Sequence, residues 1–258
     1  MRAFCIAFAG VIAGGSVLLA QAPGQPQAIP ADPQLEQVLA NWEKAMTGLA
    51  TLFAECTRKE TDKAFATTAE YTGWAKYLKS SVPNLPSRAS LYMERKGRKE
   101  IFDHLIFTGT HLYEYVAQQK VIRVHDLPPT KNGQVANDNI LGFVFGMTAA
   151  EAKRRYHLTY QPPPAGDKHW LYLGIQPKEI ADKADFSQAR LVLSNSTFLP
   201  RQLWYVQPNG NEVVWDFPKM VPGAPINANE FGIPNPPPGW RFEGMVRQPP
   251  PRVVRPNQ

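Results

Sequence analysis

The sequence predicts a fold built mainly of antiparallel strands with a few short helices, and three observations carry that prediction. Between Thr51 and Leu127, runs of β-branched and aromatic residues are broken by short turns and show little helical periodicity. An amphipathic helix precedes them, and Asn209-Gly210 separates two strand-like runs near the end, the strongest hairpin signal in the chain.

The elements follow in order. Arg2, an apolar run from Ala3 to Ala20 and the small-residue site Ala20-Gln21-Ala22 read as a secretory signal peptide over 1–22. Pro23 is a poor residue just after a cut at Ala22, and the alternative is an uncleaved anchor. However, Gly10, Gly14, Gly15 and Ser16 interrupt the run, which is at the short end of the roughly 17 to 25 residues a spanning helix needs. The expectation is export, to a periplasm or the extracellular space of a bacterium. Residues 23–31, rich in Pro and Gln, read as a flexible leader to a domain over 32–244.

Asp32 can cap a helix with Pro33 in its first turn, after which Leu35, Val38, Leu39, Trp42, Met46 and Leu49 recur at helical spacing. Gly48 ends it. Strands are expected over 50–60, 68–79, 89–96, 99–107, 111–117 and 120–126. A loop follows at 128–133, then the apolar segment Ile140, Leu141, Gly142, Phe143, Val144, Phe145, which fits a short helix or lid. Thr148-Ala149-Ala150-Glu151 is a capping box opening a helix to about Arg155. Strands resume at Tyr156 and are expected again over 169–175, 189–194, 202–207 and 212–217. The tail 245–258, where Pro249, Pro250, Pro251 and Pro256 alternate with Arg247, Arg252 and Arg255, is expected to stay extended or disordered.

Composition narrows the chemistry. With Cys5 in the leader segment, the exported chain has Cys56 alone, so stability must come from a core; Cys56 reads as a small buried apolar residue. The formal charge of +6 is spread along the chain, not clustered with aromatics, which argues against nucleic acid and permits peripheral contact with anionic membrane. Dinucleotide, phosphate-loop, zinc-protease and hydrolase-elbow motifs are all missing, so no cofactor, metal or catalytic residue is expected. Five histidines are scattered singly, with Asp103-His104 and His125-Asp126 pointing to opposite faces of their strands. Glu212 and Asp216 share a strand face, a carboxylate pair that keeps an exported hydrolase as the least favoured alternative.

Trp42, Trp74, Tyr92, Phe107, Tyr113, Phe143, Trp170, Trp204 and Trp215 all fall within expected elements. Each alone is best read as core. Together they permit a strongly curved sheet, capped by apolar helices, around a cavity for an acyl chain.

The order of elements resembles the periplasmic lipoprotein carriers of the LolA/LolB family and the related lipoprotein-sensing regulator domain. The resemblance spans roughly Leu35 to Trp240. It rests on the helix running into Thr47-Gly48-Leu49-Ala50-Thr51-Leu52-Phe53, and on Phe107-Thr108-Gly109-Thr110-His111-Leu112-Tyr113-Glu114-Tyr115, with Thr108 where the family commonly has aspartate. The apolar segment at 140–145, the strand pair through Asn209-Gly210, Asn229-Glu230-Phe231 and Pro237-Pro238-Gly239-Trp240 complete it. It implies an α+β fold: an unclosed antiparallel β-barrel whose concave face is covered by the N-terminal and mid-chain helices. It also implies a non-enzymatic carrier or chaperone for acyl chains, lipoprotein chains among them. The candidate lid is Ile140, Leu141, Phe143, Val144 and Phe145, faced by Trp42 and Met46. The alternative is an envelope sensing module that binds another protein.

Overall fold

A computed structural model describes residues 32–80, 86–127, 142–145 and 147–244. Helix α1 (Pro33–Thr47) begins as the sequence predicts: Asp32 Oδ1 accepts from Gln34 N at 2.9 Å and Pro33 occupies the first turn. Its buried stripe is Val38, Leu39, Trp42 and Met46. Strands β1 (Thr51–Asp62), β2 (Thr67–Leu78), β3 (Arg88–Arg95), β4 (Arg98–Phe107), β5 (His111–Val116) and β6 (Val121–Asp126) follow, within two residues of the expected limits. One-turn α2 (Gly142–Phe145) and α3 (Ala149–Arg155) come next, with Thr148 Oγ1 accepting from Glu151 N at 3.1 Å. The second set is β7 (Tyr156–Gln161), β8 (Trp170–Pro177), the short α4 (Ile180–Lys183), β9 (Gln188–Ser194), β10 (Pro200–Val206) and β11 (Glu212–Pro222). The three-residue β12 (Arg241–Glu243) was not expected.

These strands form one sheet in the order β12-β6-β5-β4-β3-β2-β1-β11-β10-β9-β8-β7, antiparallel except where β12 lies parallel to β6. Its first and last members are not paired to each other, so the barrel is unclosed. The alternation of β1 sets the faces. Leu52, Ala54 and Cys56 are buried under α1 and share one core with Leu91, Met93, Leu173, Leu191, Leu203 and Trp215. That apolar side, with α1, α2 and α3 on it, is the concave face of an α+β half-barrel. Burial pushes the Cys56 thiol up to about 12, as suits a core residue.

The opposite face carries a cross-strand row. Trp74, Tyr92, His104 and Tyr115 are in register on β2 to β5, with centroids 5.9 Å apart for Trp74 and Tyr92 and 4.7 Å for His104 and Tyr115. Trp240 packs on Tyr115 at 5.6 Å. Burial in this row lowers the His104 pKa from 6.5 to about 4. A folded-state pKa below the unfolded one means that the unfolded chain binds the proton first, so this contribution is full above pH 6.5 and lost as pH falls toward 4. It amounts to at most about 3 kcal/mol. Urea midpoints measured from pH 7 down to about pH 4 should fall less steeply for His104→Phe than for the parent. Parallel slopes would place the acid sensitivity elsewhere.

Candidate functional site

The helical cover converges on Trp42. Its helical position, one turn before Met46, aims the indole into the sheet, and it is wholly buried. The Phe143 ring, also wholly buried, lies 5.7 Å from it and 5.3 Å from Tyr156; Tyr156 continues to Phe186 at 5.7 Å, and Phe186 to Tyr205 at 6.4 Å. A run of rings from α1 through α2 to β10 therefore fills the space beneath the cover. Met46 is buried in the same cluster. Ile140 and Leu141 lie outside the described residues, and of Val144 and Phe145 only the helical backbone is described.

Trp42 Nε1 has no hydrogen-bond acceptor among the described residues. A buried donor in that state costs about 1–3 kcal/mol, which an acceptor supplied by a ligand would recover. The chemistry available at this point is thus a broad apolar contact with one inward N–H.

Farther along the concave face the cover thins. Ile101 and Leu105 on β4 and Leu112 on β5 are half-buried. Register puts Leu105 in one row with Ala54, Ala75 and Leu91, and Leu112 in one row with Leu52, Tyr77, Ala89 and Phe107. These side chains extend an apolar floor beyond the aromatic run.

A charged group interrupts the floor at Arg58. Two residues beyond Cys56, it shares the concave face and is held by an ion pair to Asp103 at 2.6 Å, with its Nε 2.9 Å from Glu60 Oε1 at an angle too poor for a hydrogen bond. Its guanidinium lies over the rings of Tyr71 at 4.2 Å and Trp215 at 5.1 Å. Burial opposes the charge, but Glu60 and Asp103 outweigh it and raise the Arg58 pKa further. Sequence reasoning missed this residue because Arg58-Lys59-Glu60 looks like a solvated strand end. The signal was phase, since Leu52, Ala54, Cys56 and Arg58 are all even-numbered on one strand.

Glu212 and Asp216, the carboxylates of one strand face, have separate partners. Glu212 pairs with Lys63 at 3.0 Å, whose hydrogen bond lowers its pKa, while Asp216 accepts from Gln202 at 3.0 Å and Arg201 at 3.3 Å. Each is tied to its own surface partners.

No family model matches the sequence, and no curated protein matches it. Solved structures do. An uncharacterized conserved protein from Thermus thermophilus is similar over 82% of this chain and 99% of that one, at 8% identity and a TM-score of 0.50. The two share a fold. A LolA superfamily protein from Nitrosomonas europaea covers 77% of this chain and 97% of its own at 12% identity and a TM-score of 0.37. The MucA/MucB complex of Pseudomonas aeruginosa matches over 78% of this chain and 61% of that one at 10% identity and 0.43. At these identities the likeness concerns fold. The half-barrel itself is defined by its sheet order and covering helices.

Proposed function

We propose that this LolA-like protein is an exported carrier or chaperone that takes an acyl chain, or another hydrophobic ligand, between the concave sheet and its helical cover, lipoprotein acyl chains being one cargo of that class. The observation that carries the reading is the Trp42–Phe143 contact, through which α1 meets α2 by ring packing. Such a contact contributes about 0.5–1.5 kcal/mol beyond area burial, little enough for a ligand to replace. Opening there would let Trp42, Met46, Ile140, Leu141, Phe143, Val144 and Phe145 turn their apolar sides to cargo, with Trp42 Nε1 available to an ester or amide carbonyl. In the closed form the rings occupy the ligand's place, so binding and closure compete.

One observation favours a second reading. The rings of Trp42, Phe143, Tyr156 and Phe186 already fill the interior, as they would in an envelope sensing module that presents its outer surface to another protein. Mass spectrometry of organic extracts decides between the two, using protein purified from its exported compartment without detergent beside an unrelated exported protein. Under the carrier reading a stoichiometric acyl species is expected. Phe143→Leu, which keeps an apolar side chain but weakens the closing contact, should raise the apparent affinity for a neutral naphthylamine dye by up to about tenfold. A clean extract together with no dye binding by either form would leave the sensing module.

A further inference from the structure

The two borders of the sheet differ in kind. At one, β12 is three residues long and carries Arg241 and Glu243, short and charged in the way that discourages further pairing. At the other, β7 has six residues with no lysine, aspartate, glutamate, proline or register shift, and no strand lies on its free side among the described residues. His157, Thr159 and Gln161 are exposed along it.

Register fixes which backbone groups of β7 are free. Lys178 N donates to Arg155 O at 2.9 Å, one step before Tyr156 pairs with Pro177. In an antiparallel ladder every second pair exchanges both bonds, so His157, Thr159 and Gln161 turn their amides to β8, and Leu158 and Tyr160 turn theirs outward. No backbone group outside β8 bonds to Leu158 or Tyr160 among the described residues. Their side chains pack against the concave core, which holds the two outward amides about 7 Å apart in a fixed line.

Charge selects the occupant. The edge begins at Lys153-Arg154-Arg155, the basic last turn of α3, and Lys178 reaches across to Lys153 O at 2.6 Å. Glu36 is taken by Lys153, Asp182 and Glu151 by Arg155, and Glu179 pairs with none of these cations. Arg154 and Lys178 thus have no ion pair among the described residues. A second copy would bring the same cations to the border, and no segment outside the described residues carries a net negative charge. The complement is an acidic strand from another molecule.

We propose that β7 takes an extended acidic peptide as an added antiparallel strand, a protein-binding site separate from the helix-covered interior. Peptide residues opposite Leu158 and Tyr160 exchange backbone bonds with them and lie on the concave side, where apolar side chains fit. Those opposite His157, Thr159 and Gln161 lie on the solvated side, where acidic side chains fit.

The test is fluorescence anisotropy of the exported chain with a labelled heptapeptide of alternating glutamate and valine. N-methylation of the valines, whose amides face β7, should weaken binding at least about tenfold, and N-methylation of the glutamates should not. Lysine in place of glutamate should weaken it at least about tenfold as well. Tyr160→Pro removes one outward N–H without touching a bond to β8 and should weaken binding about fivefold. The methylated peptides put the same question to the unaltered protein should that variant fail to fold. Arg154→Gln with Lys178→Gln should lower the affinity and flatten its salt dependence. The neutral dye assigned to the interior should not displace the peptide. The proposal is overturned if no peptide binds, if the valine-methylated or lysine peptide binds as tightly as the parent peptide, or if the dye displaces it. Sedimentation showing a dimer that Tyr160→Pro dissociates would make a second copy the occupant and overturn it too.

Discussion

Gly73→Ala is expected to cost about 3 kcal/mol or more and to leave the chain unfolded under conditions where the parent is stable. Gly73 lies in the middle of β2, between Cys56 on β1 and Met93 on β3. A Cβ built there would lie 1.8 Å from the Tyr92 carbonyl oxygen, 2.7 Å from its carbon and 2.9 Å from Met93 Cα. All three atoms are backbone of the neighbouring strand, so no rotamer change relieves the overlap. The strands must separate, and the β2–β3 ladder goes with them.

Gly174 on β8 provides the contrast. A Cβ there would also sit close, 2.6 Å from Gln161 Nε2 and Thr159 Oγ1, but both are side-chain ends on the edge strand β7. Those ends can rotate into solvent, so Gly174→Ala should change the urea midpoint by no more than about 1 kcal/mol equivalent. Similar losses for the two alanines would show that the close approach at Gly73 is not what fixes the sheet there.

Much of the architecture was legible because local chemistry and global fold agree. Asp32, Pro33 and the apolar stripe of α1 state a helix start and face without reference to anything distant, and Thr148 does the same for α3. The hairpin at Asn209-Gly210 likewise carries its own geometry: Gly210 adopts φ +86° and Asn209 Oδ1 accepts from Asn211 N at 3.0 Å. What was not legible is set by partners far along the chain. The strand Arg241–Glu243 has three exposed residues and no pattern, and exists because β6 offers it an edge. Pairing of β1 with β11 brings residues far apart in sequence, such as Arg58 and Trp215, into register, and no local signal announces it. The site divides in the same way. Trp42 and Met46 could be assigned to one helix face from spacing, and Phe143 to an apolar segment, but that Trp42 would meet Phe143, or that Arg58 would stand between Tyr71 and Trp215, depends on register across the sheet. Leu158 and Tyr160 read as ordinary strand residues until the sheet order leaves β7 at its border.

The second large effect concerns the ion pair that fastens the end of α3 to α4. Arg155 and Asp182 are 8% and 5% exposed. Arg155 Nε donates to the two carboxylate oxygens at 3.2 and 3.3 Å, and Nη2 donates to Oδ1 as well. Their neighbourhood is tied together by backbone too, with Lys178 N donating to Arg155 O at 2.9 Å. Asp182→Ala removes these hydrogen bonds and leaves Glu151 at 3.9 Å as the nearer carboxylate, a change expected to cost about 3 kcal/mol. Replacing both partners removes the buried charge: Arg155→Met with Asp182→Leu should recover most of that loss, because the Coulombic gain of the buried pair is offset by the desolvation of two ions. Urea unfolding of the three forms measures this directly. The single variant should be the least stable, and the double variant should lie close to the parent. A double variant as unstable as the single one would mean that the pair contributes net stability at this joint, and that its geometry more than offsets the cost of burying both charges.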